Sequence, residues 1–266
     1  MDIYVDDYVK KYNDTTIAIN MAINDVNLSG GGNVIFSKFE KYESGLINLK
    51  DNVCLFFEDY SLLKMTSDKS KLKIKEFIKN DLNKPSYEDC EYNGEPNEGF
   101  IRAVGCKNIS IFGGGIIDGN EDIFYGESSK YFQDGSYYPR VPLIYIKECE
   151  NVNINKITLR KSAFWTVHLV GSRNINIENI YIFNNLKMAN CDGIDPDHCS
   201  NLKIRDCYIE AADDGIVFKT TRNGKKYGDC QNVEVSNCTI ISTSAGIKFG
   251  TESVSNFNNF LFIRKF

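Results

Sequence analysis

The sequence predicts an all-β solenoid, a chain wound into successive coils of short stacked strands. Three observations predict it. An N-[apolar]-x-[apolar] element recurs seven times, the cysteines fall at fixed offsets from it, and the tripeptide D-G-I occurs twice at about one coil's spacing. An isolated strand of this kind cannot bury its apolar face, whereas stacking one repeat on the next buries it.

The elements follow in chain order. The segment "NDTTIAINMAIND" offers Asp14 as an N-cap, apolar positions at Ile19, Ile23 and Val26, and a "GGG" stop at 30–32. A short capping helix over about residues 14–30 is therefore expected to cover the first coil. The repeat then reads "NVCL" at 52, "NISI" at 108, "NVNI" at 151, "NINI" at 174, "NLKI" at 201, "NVEV" at 232 and "NFLF" at 259. Each copy alternates apolar and polar residues behind a turn-favouring asparagine. Cys106, Cys149, Cys199 and Cys230 each precede a repeat asparagine by two residues, with Ser172 in the same column, and Cys207 and Cys238 each follow one by six. Small soft side chains in inward columns are core filling, so stacked reduced thiols are expected in preference to disulfides. After "TESVSNFNNFLFIRKF" nothing resembles a polar cap, and the reading is one β-helical domain over residues 1–266 whose C-terminal coils are incomplete and whose last coil is exposed.

Bulk numbers narrow the function. A net charge of −5 argues against nucleic acid as a partner. No apolar run reaches the roughly 18 residues of a membrane span. The start "MDIYVDDYVKKY" has no basic segment followed by an apolar block, so no secretory leader is read there. An acidic ligand would need a local basic patch, because the overall field repels it.

A second column carries the chemistry. "WTVHLV" from 165, "DGIDPD" from 192, "DGIVFK" from 214 and "AGIKFG" from 245 align at spacings of 27, 22 and 31. If these are parallel strands on successive coils, Trp165, Asp192, Asp214 and Ala245 stack about 4.8 Å apart. Asp213 sits immediately before the column and is expected in the turn entering the strand. Three converging carboxylates repel, which raises one pKa and separates a proton donor from a base. That division is what hydrolysis of a glycosidic bond requires. Calcium is a rival use for clustered aspartates. Asp195 and Asp197 are read as a solvated turn. His168 and Lys248 share a column, Lys219 heads a basic group with Arg222, Lys225 and Lys226, and Trp165 is placed at the cleft with Phe164 in the core. The lysine-rich "DKSKLKIKEFIKND" at 68–81 is read as a solvated face.

With these residues in view, the chain resembles glycoside hydrolase family 28, the polygalacturonases and their relatives. The likeness runs from about residue 14 to 253. It rests on "DTTIAINMAINDVNLSGGGNVIF", "NISIFGGGIIDGN", "ITLRKSAFWTVHLVGSRNINIENI" and, most specifically, "NCDGIDPDHCSNLKIRDCYI" followed by "ADDGIVFK". The resemblance implies a right-handed parallel β-helix and an inverting hydrolase of α-1,4-linked galacturonic acid in an acidic plant-type polysaccharide, with no metal or organic cofactor. It implies Asp213 as general acid and Asp192 with Asp214 as the pair that orients and deprotonates water. It suggests a secreted or periplasmic protein, while the free-thiol columns and absent leader equally fit the cytoplasm. Asn190 leads the motif, with Cys191 where threonine is usual. Ala245 stands where the family carries a histidine, and no Arg-x-Lys follows, Arg264-Lys265 being too early and wrongly spaced. Lys248 or Glu252 is expected to replace those contacts, giving Asn190, His168, Lys219, Lys248, Glu252 and Trp165 as substrate-binding candidates. The alternatives are a β-helical lyase or uronate epimerase, and a carbohydrate-binding β-helix that is weakly active or inactive.

Overall fold

The computed structural model describes residues 1–72, 99–124 and 140–264. Residues 73–81 of the lysine-rich run, Cys90 and Lys265 lie outside them.

Three sheets, all with parallel pairing, run the length of the molecule. Each coil contributes one strand to each sheet, so the coil containing the second D-G-I motif supplies Ser200–Arg205, Tyr208–Ala211 and Ile216–Thr220 in turn. Among the described residues the first sheet has nine strands and the other two seven each. This is a right-handed parallel β-helix. One seven-stranded sheet, here the groove sheet, orders its strands as Ile247–Ser253, Ile216–Thr220, Ile194–Asp197, Val167–Val170, Ile144–Lys147, Ile101–Val104 and Ile47–Asn48. Its register places Ile144 beside Val167, Val167 beside Ile194, Ile194 beside Ile216 and Ile216 beside Ile247. Ile144, Val167, Ile194 and Ile216 belong to the core, while Ile247 is 40% exposed. The alternate positions Tyr145, His168, Asp195, Val217 and Lys248 lie on the other face of the sheet, where all but Lys248 are buried.

The repeat asparagines do more than open turns. Asn52, Asn108, Asn151, Asn174, Asn201, Asn232 and Asn259 all adopt φ between 54° and 60°, a left-handed conformation that asparagine tolerates better than most residues. Each one from Asn108 onward donates its amide to the carbonyl oxygen of its predecessor, at 2.8–3.1 Å. The result is an unbroken ladder through seven coils. The inward cysteine column stacks as read: Cys106 N donates to Cys149 Sγ at 3.3 Å, and Cys149 N donates to Ser172 Oγ at 3.0 Å. All eight described cysteines are free thiols.

The N-terminal cover is larger than the sequence suggests. Asp2–Tyr4 forms the first strand and pairs with Gly32–Phe36. Helix α1, Val5–Tyr12, carries Asp6 and Asp7 in its first turn and Lys10 and Lys11 in its last, matching its dipole. Helix α2, Thr15–Leu28, is capped by Asp14, whose carboxylate accepts from Ile17 N at 3.0 Å, and it buries Ile19, Ile23 and Val26. At the opposite end Phe249, Leu261 and Phe262 remain 44–52% exposed. No described helix is long and apolar enough to cross a membrane.

Candidate active site

Backbone hydrogen bonds fix the column that holds the acids. Thr166 N donates to Asp192 O at 3.0 Å, Gly193 N to Asp214 O at 2.9 Å, and Gly215 N to Ala245 O at 2.8 Å. Asp192, Asp214 and Ala245 therefore stack on consecutive coils. The glycine after each aspartate has a packing reason. A Cβ at Gly193 would lie 2.3 Å from Gly215 O, and one at Gly215 would lie 2.3 Å from Ile240 Cγ2. The aspartate column can pass this close only because its next residue lacks a side chain.

Asp213 occupies the turn entering the strand Ile216–Thr220 and so joins the column from the side. One oxygen from each of Asp192, Asp213 and Asp214 lies within 4.8 Å of the others. Asp192 and Asp214 are buried, while Asp213 is half-buried. Burial pushes the Asp192 carboxyl up to about 8, with the charges of Asp213 and Asp214 adding to the rise and Lys219 opposing it. Below that pH Asp192 retains its proton. Asp214 is differently placed: its Oδ2 accepts from Lys248 Nζ at 2.7 Å and its Oδ1 from Ala245 N at 3.2 Å. Burial works against the charge on Lys248, yet its bond to Asp214 and the nearby carboxylates hold its pKa above the usual lysine value. Three oxygen donors of this kind could hold a hard divalent cation, but Lys248 already occupies one oxygen of Asp214.

The other candidates gather around the trio in different states. Asn190 Nδ2 points at Asp213 Oδ2 from 3.5 Å. Lys219 is only 5% exposed. Its ammonium lies 3.0 Å from Glu252 Oε2 and 4.4 Å from the centroid of the Trp165 ring. Burial holds the Glu252 carboxyl above its usual value. Trp165 is 2% exposed, packed on Phe164 and edge-on to His168 at 4.7 Å. It therefore supports Lys219 from below and is not an open stacking surface. His168 is also buried, and burial together with Lys219 pushes its pKa down to about 3.

Asp195 and Asp197 correct the reading of a solvated turn. Both lie on the strand Ile194–Asp197, and Asp195 is 0% exposed. Burial, with the neighbouring charge of Asp192, holds the Asp195 carboxyl well above the normal range. Asp197 accepts from Thr221 N at 2.9 Å and Thr221 Oγ1 at 2.6 Å, which anchors the loop beyond the strand. On that loop Arg222, Lys225 and Lys226 are exposed, and Lys226 pairs with Glu148 at 3.1 Å. Sequence reasoning missed Arg140, which donates to Asn190 Oδ1 at 3.0 Å. Its signal was register: Arg140 precedes Ile144 by four residues, as Asn190 precedes Ile194.

The family model for glycosyl hydrolases family 28 matches residues 60–259. This chain belongs to glycoside hydrolase family 28. Within the family, it is 30% identical over 251 residues to a probable polygalacturonase of Vitis vinifera, covering 89% of this chain and 48% of that protein. A polygalacturonase of Gossypium barbadense is 26% identical over 180 residues, covering 59% and 43%. The chain thus spans about half the length of these curated relatives. In fold it matches a hyperthermoactive exopolygalacturonase from Thermotoga maritima with a TM-score of 0.78 at 21% identity, covering 99% of this chain and 66% of that one.

Proposed function

We propose that the chain hydrolyses a pectic, galacturonate-containing polysaccharide, with Asp192, Asp213 and Asp214 as its working carboxyl groups. The observation that carries this reading is that one carboxylate oxygen from each of the three lies within 4.8 Å of the others, with Asp192 and Asp214 each two residues before a groove-sheet strand and Asp213 in the turn beside them. Family membership supports the same chemistry.

In this reading Asp213 gives a proton to the glycosidic oxygen as the bond from that oxygen to the anomeric carbon breaks. Asp192 and Asp214 orient a water molecule, Asp214 takes its proton, and the water oxygen bonds to the same carbon with inversion. Burial pushes the Asp192 carboxyl up to about 8, so below that pH it enters the reaction carrying its proton. Lys248 fixes Asp214 by a direct ion pair, in the place where Ala245 supplies only a backbone N–H. Lys219 and Lys248 stand beside the acids in ion pairs with Glu252 and Asp214, and they are the cations this site offers to an anionic sugar.

The test is incubation with polygalacturonate. Hydrolysis releases new reducing ends without an ultraviolet-absorbing unsaturated product. Appearance of that product would assign a lyase instead, and binding without any new ends would assign a carbohydrate-binding β-helix.

A further inference from the structure

Arg140 carries a charge, yet it is only 6% exposed. The groove-sheet register explains its position. Arg140, Ala163 and Asn190 each lie four residues before the stacked core residues Ile144, Val167 and Ile194. Asp213 lies three residues before the next one, Ile216. The four therefore occupy the same turn on successive coils.

The side chain of Arg140 reaches along that stack. Its Nη1 donates to Ala163 O at 3.1 Å and also to Ala189 O, its Nη2 donates to Asn190 Oδ1 at 3.0 Å, and the guanidinium lies 4.8 Å from the Phe164 ring centroid. An asparagine amide can present either its oxygen or its nitrogen in a given direction. A guanidinium has only N–H donors and no acceptor. Facing Arg140, Asn190 must therefore present its oxygen, which turns its nitrogen toward Asp213 Oδ2 at 3.5 Å.

We infer that Arg140 is a positioning residue for the reaction: it sets the amide of Asn190, and through that amide it aims the carboxyl of Asp213. The two backbone carbonyls it binds hold the turns together, whereas the bond to Asn190 serves Asp213. Without Arg140 the amide is free to rotate, and turned round it would offer Asp213 an acceptor in place of a donor. The inference rests on the hydrolytic reading above for its kinetic consequence, but not for its geometry.

The experiment is a double-mutant cycle on polygalacturonate with Arg140→Met, Asn190→Ala and the pair combined. Each single variant is expected to lower kcat by about 10- to 100-fold, the scale of misplacing a reacting group, with KM changed less than about twofold. The double variant is expected to be no slower than the worse single one, because the second change acts on a link already cut. Losses that multiply in the double variant would overturn the inference. If Arg140→Met does not fold, Arg140→Gln, whose amide can accept as well as donate and so no longer dictates the Asn190 orientation, replaces it in the same cycle with the same expectation. A second readout needs no turnover. A neutron structure of the arginine variant, in which the amide deuterons distinguish nitrogen from oxygen, should show the Asn190 amide reoriented, and an amide left in place would also overturn the inference. A wild-type chain that releases no reducing ends would refute the hydrolytic reading, while the amide readout would still decide the positioning role.

Discussion

Replacing Asp192 by asparagine should make the protein more stable at neutral and alkaline pH, while stopping turnover. Burial raises this carboxyl from 3.8 to about 8. A carboxyl whose pKa is higher in the folded state than in the unfolded one contributes its full stability only below the unfolded pKa, and that contribution is lost as pH rises toward the folded pKa. As pH rises above about 4 the unfolded chain releases the proton and the folded chain keeps it, so stability falls by about 1.4 kcal/mol per pH unit. The fall ends near pH 8, where the folded form also ionises. The full difference is on the order of 6 kcal/mol, from a rise of about four pKa units. Asparagine has the same shape and no proton to release. The assay is urea denaturation of wild type and Asp192→Asn at pH 5, 6, 7, 8 and 9. The gap in favour of the variant should widen steadily to about pH 8 and then level off. A gap that is independent of pH, or a wild type more stable at pH 8, would refute the assignment of the retained proton to Asp192.

Three further outcomes are expected. Asp213→Asn should lower turnover by about 10²- to 10⁴-fold, the usual contribution of positioned proton transfer, with an unchanged melting temperature, and a near-wild-type rate would remove Asp213 from the mechanism. Lys248→Met should lower kcat/KM by about tenfold, since it removes a charge-assisted bond to a reacting group, and unchanged kinetics would show that the ion pair with Asp214 is incidental. Asn174→Ala deletes one donor and one acceptor of the ladder at a residue with φ 55°. It should cost about 1–3 kcal/mol in chemical denaturation, and a neutral result would mean that the ladder's bonds exchange freely with water.

Much of this was legible because stacking repeats a local constraint on every coil. A repeat asparagine must be left-handed in each turn, and the same residue type bonds to its own copy, so periodicity alone located all seven. The D-G pairs were visible because the close approach that stacks the acids excludes a side chain after them. Other features lacked such a signal. Asp195 and Asp197 in "DGIDPD" resemble a polar turn, and only the strand register shows them under the site. Tryptophan suits a cleft or a core equally, and only the structure shows Trp165 buried beside the site, with Lys219 over its ring. Helix α1 buries only Val5, too little to leave a periodic pattern. Arg140 acts at a distance of two coils, and no local motif records that.

The lysine that holds Asp214 is carried by Ile247–Ser253, while Asp214 itself leads into the neighbouring strand Ile216–Thr220. Acid and counter-charge thus belong to adjacent coils, and an anion bound across Lys248 and the acids would clamp the two coils together. Occupancy of the groove and rigidity of that strand pair are then two measures of a single equilibrium.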